Sequence, residues 1–227
     1  MSKKATGNPR RDESLSRAQI IEASIALLDA NGEPGLTFRT LAERLATGAG
    51  AIYWHIDNKS DLLLASCDAI ISHVTKATAP TKTPEAGIRS VALAIFDAID
   101  AHPWVGSALT RAAGKLPMVR ILERLAEQVC ALGVPEGDRW SAVSALLSYI
   151  LGVAGQNAAN RQLAQALQLD RSTFLEDVST VWSQLDVNAF PFTRELAKAL
   201  PGHDDRADFI AGIDFILCGI NANGHLR

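Results

Sequence analysis

The chain has 227 residues, 48% of them hydrophobic, enough to bury the core of one large domain or two small ones. Its net charge of −3 excludes a globally basic nucleic-acid coat. The longest apolar run, 145–154, is interrupted by Ser148, Tyr149 and Gly152 and falls short of the roughly 20 residues of a membrane span. MSKKATGNPRR lacks the apolar stretch of a secretory signal, so a soluble cytoplasmic protein is expected. Cys67, Cys130 and Cys218 are far apart with no metal-ligand spacing, and buried free thiols are expected, with no metal and no cofactor.

Apolar residues recur every three or four positions and β-branched alternation is absent, which predicts an all-α fold. Residues 1–13 read as a flexible basic arm. Ser16 caps a helix over 17–30, with Ile21, Ile25 and Leu28 on one stripe and Ala23 and Leu27 beside it. Asn31-Gly32 ends it, and Pro34-Gly35 makes a turn. Thr37 caps a short helix with apolar positions Phe38, Leu41, Ala42 and Leu45. After a turn at Ala46-Thr47-Gly48, a helix of about two turns turns Ile52 inward and crowds Tyr53, Trp54 and His55 at its end. Asp57-Asn58-Lys59 breaks it. A helix over 60–75 carries Leu63, Cys67, Ile70 and Val74, and the loop 78–84 follows. The chain is therefore divided into the arm, a head over 14–76 and a second domain over 77–227.

The second domain reads as helix after helix. The first, 85–101, carries Ile88, Val91, Ile95 and Ile99 and breaks at His102-Pro103. Segments over 105–113 and 116–132 follow, stopped by Gly133-Val134-Pro135. A long helix over 137–159 carries Trp140, Val143, Leu147, Ile150 and Ala154. Helices over 170–185, 195–200 and 205–220 complete the chain, the last with Phe209, Ile213, Ile216 and Ile220.

The short helix, tight turn, short helix and abrupt stop over 37–61 have the rhythm of a helix-turn-helix, whose second helix lies in the DNA major groove. LTFRTLAERL followed by AIYWHIDNKSDLL closely resembles the DNA-binding head of the TetR family of transcriptional repressors. Leu36, Thr37, Arg39, Leu41, Ala42, Leu45, Tyr53, His55, Asn58, Lys59 and Leu62 match the family pattern. Ile52 and Ile56 stand where Leu and Phe are common. Ala46, Thr47 and Gly48 stand where glycine, valine and serine are usual. The resemblance is strong from about 16 to 64.

The resemblance implies that Tyr53, His55 and Lys59 reach DNA phosphates, contacts that position the helix without reading sequence. Thr37 is expected as both cap and phosphate donor. Arg39 reaches a base or phosphate, or pairs with Glu43 on its own helix. Trp54 packs or enters the groove. Gly48, Ala49, Gly50 and Ala51 occupy the base-reading positions without side-chain hydrogen bonds. Either Ala49 and Ala51 touch thymine methyls, or Thr47 and Arg39 or the arm carry direct readout. Up to Asp61 the chain, arm included, has eight Lys/Arg and eight Asp/Glu, so the head's affinity depends on charge placement and on two copies acting together.

The family further implies a homodimer and a pocket for a small hydrophobic or aromatic effector that releases the repressor from its DNA operator. The dimer is expected through 137–159 and 205–220, with Val143, Leu147, Ile150, Ala154, Phe209, Ile213, Ile216 and Ile220 at the interface. Effector candidates are Phe96, His102, Trp104, Met118, Tyr149, Gln156, Asn157 and Trp182. The chain has no nucleophile motif, Gly-rich phosphate loop, HExxH or carboxylate cluster, so no catalytic residue is expected. The rival readings are a helical interaction protein with a degenerate head and a helical enzyme.

Overall fold

The computed structural model describes residues 15–78 and 81–224, and the expected arm, 1–13, lies outside them. The described residues are helical and carry no strand. They form two compact units that divide between Ser66 and Cys67, earlier than the loop at which the sequence suggests a boundary.

In the first unit, α1 (Arg17–Gly35) starts at a capping box: the Gln19 N–H donates to Ser16 Oγ at 3.2 Å, and the Ser16 N–H donates to Gln19 Oε1 at 2.8 Å. The expected stop at Gly32 is a kink, with φ 63°, after which one more turn runs to Gly35. The buried face is Ile20, Ala23, Ser24, Leu27 and Leu28, and Ile21 and Ile25 are only half-buried. The periodicity mislaid this face because Ser24 is polar; its hydroxyl is satisfied by the Ile20 carbonyl at 2.7 Å, so it can lie inside.

Helix α2 (Phe38–Arg44) opens with Thr37 and Thr40 capping each other reciprocally. The turn into α3 (Ala49–Tyr53) places Ala46 at φ 50°, the left-handed region where glycine is favoured. Ile20, Leu28, Leu36, Leu41, Ile52, Ile56 and Leu62 form the core. Ile52 is the single fully buried side chain of α3, and it fixes which edge of that short helix faces outward.

Helix α4 (Lys59–Ala77) belongs to both units, because the division falls within it. Arg120 holds its second half through a bond from Nε to Asp68 Oδ1 of 2.8 Å. Cys67 is buried, and burial with the neighbouring Asp68 pushes its thiol up to about 12. Cys130 and Cys218 are exposed, contrary to the expectation of buried thiols.

The second unit contains α5 (Pro84–Ala101), α6 (Trp104–Thr110), α7 (Leu116–Ala131), α8 (Glu136–Ala166), α9 (Arg171–Ser183), α10 (Pro191–Ala197), a 3-10 turn (Leu200–Gly202) and α11 (Asp205–Gly224). Ile95, Ile99, Leu109, Ile121, Leu125, Leu146, Ile150, Phe209 and Ile213 fill its core. α8 outruns its expected end at 159: its apolar stripe fades there, but no breaker occurs before Gln168, which takes φ 58°. By length and composition α8 would also pass as a membrane span. Its Val143, Leu146, Ile150 and Ala154 are buried within the unit. Trp140, expected on that stripe, points outward and is 68% exposed.

A candidate DNA interface and a charged cleft

The outward edge of α3 is smooth and open. A Cβ built on Gly48 or Gly50 would meet nothing within 4 Å, and Thr47, Ala49 and Ala51 are half-buried beside them. At its end, Tyr53 is 53% and Trp54 89% exposed, and His55 is exposed as well. Tyr53 is held against α2 by stacking on Phe38, ring centroids 4.4 Å apart and planes 8° apart. The positioning role of Phe38 escaped the sequence reading, which saw only an apolar helix position.

The other expected DNA contacts have partners within the chain. Arg39 Nε meets Glu43 Oε1 at 3.0 Å on the open surface, a pair worth about 0.3–0.5 kcal/mol and readily exchanged for phosphate. Lys59 Nζ donates to the Glu33 carbonyl at 2.7 Å, tying the start of α4 to the end of α1. An ammonium has three donors, so this bond leaves capacity for phosphate. The Thr37 hydroxyl takes part in the α2 cap.

The second unit contains an open cleft of about 700 Å³, within the size range of small-molecule sites. Its lining comes from α5, α8, α9 and the segment that leads into α11. Of the expected effector residues, Phe96 and Asn157 line it. The others are not in this lining. Trp104 is buried in α6 and meets His102 edge-on at 6.3 Å. Tyr149 stacks on Phe209 and its hydroxyl donates to the Phe209 carbonyl at 3.1 Å; burial, with Asp208 nearby, raises its pKa. Met118 and Trp182 are half-buried on α7 and α9, and Gln156 is exposed on α8. Trp104 and Tyr149 thus take part in the packing of this unit.

The cleft is instead rich in charge. Arg206 grips Asp97 with two bonds, of 3.2 and 2.9 Å, and that carboxylate raises the guanidinium pKa. Arg161 pairs with Asp100 at 2.9 Å and Arg171 with Asp205 at 2.8 Å. Asp170 caps α9 by accepting the Thr173 N–H at 2.8 Å. Asp204 accepts the Ala207 and Arg206 N–H groups at the start of α11, each at 3.0 Å. These helix N–H bonds hold both carboxyls below the usual carboxylate value.

Most of the expected dimer stripe packs within the single chain. Val143, Ile150, Ala154, Phe209 and Ile213 are buried inside the single chain, where Phe209 stacks on Phe96 and Tyr149. Leu147, Ile216 and Ile220 are half-buried. Helices α8 and α11 each have an inner and an outer face, and the sequence stripe followed the inner one. The outer faces carry Ala145, Ser148, Gly152 and Gln156 on α8, and Ala211, Phe215 and Cys218 on α11, with Phe215 79% exposed.

A helix-turn-helix unit followed by a helical unit with a small-molecule-sized cleft defines a ligand-responsive regulator of transcription. Residues 20–66 match the model of the bacterial regulatory proteins of the tetR family. The transcriptional regulator SCO7222, a TetR from Streptomyces coelicolor, is 50% identical, with a TM-score of 0.81 over 92% of this chain and 98% of that one. An HTH-type transcriptional regulator of Saccharopolyspora erythraea is 26% identical over 215 residues, covering 94% of this chain and 87% of that protein. The fold is also that of ActR from Streptomyces coelicolor in complex with actinorhodin, 21% identical with a TM-score of 0.75 over 93% of this chain and 97% of that one. The chain belongs to the TetR family.

Proposed function

We propose that this chain is a cytoplasmic, non-enzymatic, homodimeric repressor that binds a DNA operator through α2 and α3 and leaves it when a small aromatic effector fills the cleft of the second unit. The exposed Tyr53-Trp54-His55 end of α3, held in place by buried Ile52 and by Phe38, carries this reading. In this arrangement Tyr53, His55, Lys59 and Thr37 contact phosphate. Ala49 and Ala51, with Gly48 and Gly50 clearing the way, bring the α3 backbone close to base edges, and Thr47, Arg39 and Trp54 lie at its borders.

The two-copy assembly uses the outer faces of α8 and α11, where small residues permit close approach and Phe215 supplies an apolar knob. It places two heads on one side of the duplex, about 34–36 Å apart. ActR is the precedent for a ligand in this fold. The head gives way to the effector domain within or just after α4, an unbroken helix through which a change in the second unit reaches Lys59. An effector shifts the balance only by its differential affinity for the two states, and DNA must weaken effector binding by the same factor.

The test is selection of duplexes from a random pool by the full-length protein, with sedimentation of the protein alone. The expected result is a two-fold symmetric site with half-sites about 10 base pairs apart, or a multiple of that, and a dimer that Phe215→Glu splits. A pool that shows no enrichment would overturn the reading.

A further inference from the structure

The cleft in the second unit has two chemically different sides. Phe96, Leu169, Phe174 and Leu175 make the apolar one, and Phe96 is locked by stacking on Phe209 at 4.6 Å. The polar side sets five aspartates against three arginines and His203. Each guanidinium already has a carboxylate: Arg206 has Asp97, Arg161 has Asp100 and Arg171 has Asp205. His203 lies between Asp205 and Asp208, at 3.1 and 2.8 Å.

Two lining carboxylates remain, Asp170 and Asp204. Neither makes an ion pair within 4 Å with a Lys, Arg or His side chain among the described residues. Both stay ionised because N–H groups of α9 and α11 donate to them. A helix N-terminus ordinarily attracts an anion; here both N-termini already hold one from the chain itself. An anionic guest would therefore meet paired arginines, capped helices and two exposed carboxylates without an ion-pair partner within 4 Å, Arg171 and His203 acting on Asp204 only at longer range. A neutral aromatic would use the apolar side alone.

We propose that the effector suited to this cleft is an aromatic molecule carrying a positively charged amine, its ring against Phe96 and Phe174 and its ammonium facing the carboxylates of Asp170 and Asp204. This rests on the reading of the cleft as the effector site and narrows that reading to one ligand class. The ring gains by burial of apolar area, and the ammonium gains by offsetting the excess negative charge of the polar side.

The experiment compares three probes that share one ring system and differ in charge: 2-(2-naphthyl)ethylamine, 2-(2-naphthyl)ethanol and 2-naphthylacetate. Their binding to the full-length protein is measured by calorimetry. The amine should bind about three- to tenfold more tightly than the alcohol, and the carboxylate most weakly. Added salt should shrink the amine's lead. Asp170→Asn combined with Asp204→Asn keeps two good helix caps and removes both charges, and the lead should then fall to about twofold or less. Phe174→Ala should weaken all three probes. Equal affinities, a preferred carboxylate, no binding by any probe, a lead retained by the double variant, or indifference to Phe174→Ala would each overturn the proposal. If the amine binds as expected but does not release the selected duplex, the ligand class stands and the effector reading fails.

Discussion

The two units solve opposite problems with the same helical material. The head presents its working face bare: two glycines, two alanines and three exposed rings on and just beyond α3, with Ile52 as the anchor beneath. The second unit fills its cleft with charges that mostly satisfy one another, three arginine–carboxylate pairs drawn from α5, α8, α9 and α11. A surface that accepts a polyanion can keep its donors in exposed, weak pairs such as Arg39 with Glu43, readily exchanged for phosphate. A cleft that takes a small guest, as proposed, gains from charges arranged beforehand, because stray ones would be costly once desolvated.

That contrast can be broken most forcefully at Phe209, whose ring is fully buried and stacked on both Phe96 and Tyr149. Phe209→Ala should cost about 3–5 kcal/mol of stability in chemical denaturation. A loss of under about 1 kcal/mol would mean that the cleft wall is not built on this core. Next is Gly212, where an added Cβ would run into the Tyr149 hydroxyl. Gly212→Val should cost roughly 1–3 kcal/mol and weaken naphthyl-probe binding by moving α11 against α8; unchanged melting would show that Tyr149 simply swings away.

Tyr53→Ala tests the bare face. It should lower DNA affinity roughly fivefold or more per lost hydrogen bond, equally on selected and unrelated duplexes, with the helical circular dichroism retained. A changed sequence preference at unchanged overall affinity would make Tyr53 a base reader instead. Ala46→Gly should add up to about 1 kcal/mol, the relief of the left-handed backbone at φ 50° less the greater entropy of glycine in the unfolded chain; destabilisation would imply that this entropy and the lost methyl contacts outweigh the strain.

The smallest effect concerns acid. Asp170 has a folded pKa below its ordinary 3.8, so its cap strengthens the fold above that value and the gain fades as pH falls through the lowered one. Asp170→Asn should flatten this acid limb in thermal melts. An identical limb in the variant would remove the cap from the account.

The head was legible from sequence because its function is local. Caps at Ser16 and Thr37, the turn at Ala46–Gly48 and the inward Ile52 all lie within one short stretch, and each has a distinct side-chain signature. The miss there was a face, not an element: Ser24 is buried by a bond to its own helix backbone, a choice that periodicity of apolar residues does not register. In the second unit the helices were found but not their roles. Asp97 and Arg206 stand 109 positions apart, and nothing near either residue foretells the other. The long helices α8 and α11 each have an inner face and an outer face of small or apolar residues, so a stripe such as Val143–Ile150–Ala154 reads equally well as core or interface from the sequence.

The burial of Cys67 gives the molecule a built-in chemical clock. A thiol raised to about 12 and closed off from solvent presents almost no thiolate at neutral pH, so alkylating reagents reach it only when α4 opens. Cys130 and Cys218, both exposed, react from the intact fold and mark time zero. The lag between their modification and that of Cys67 measures how often the helix shared by both units comes apart, and its change on adding DNA or a ligand would report tightening or loosening there without any engineered label.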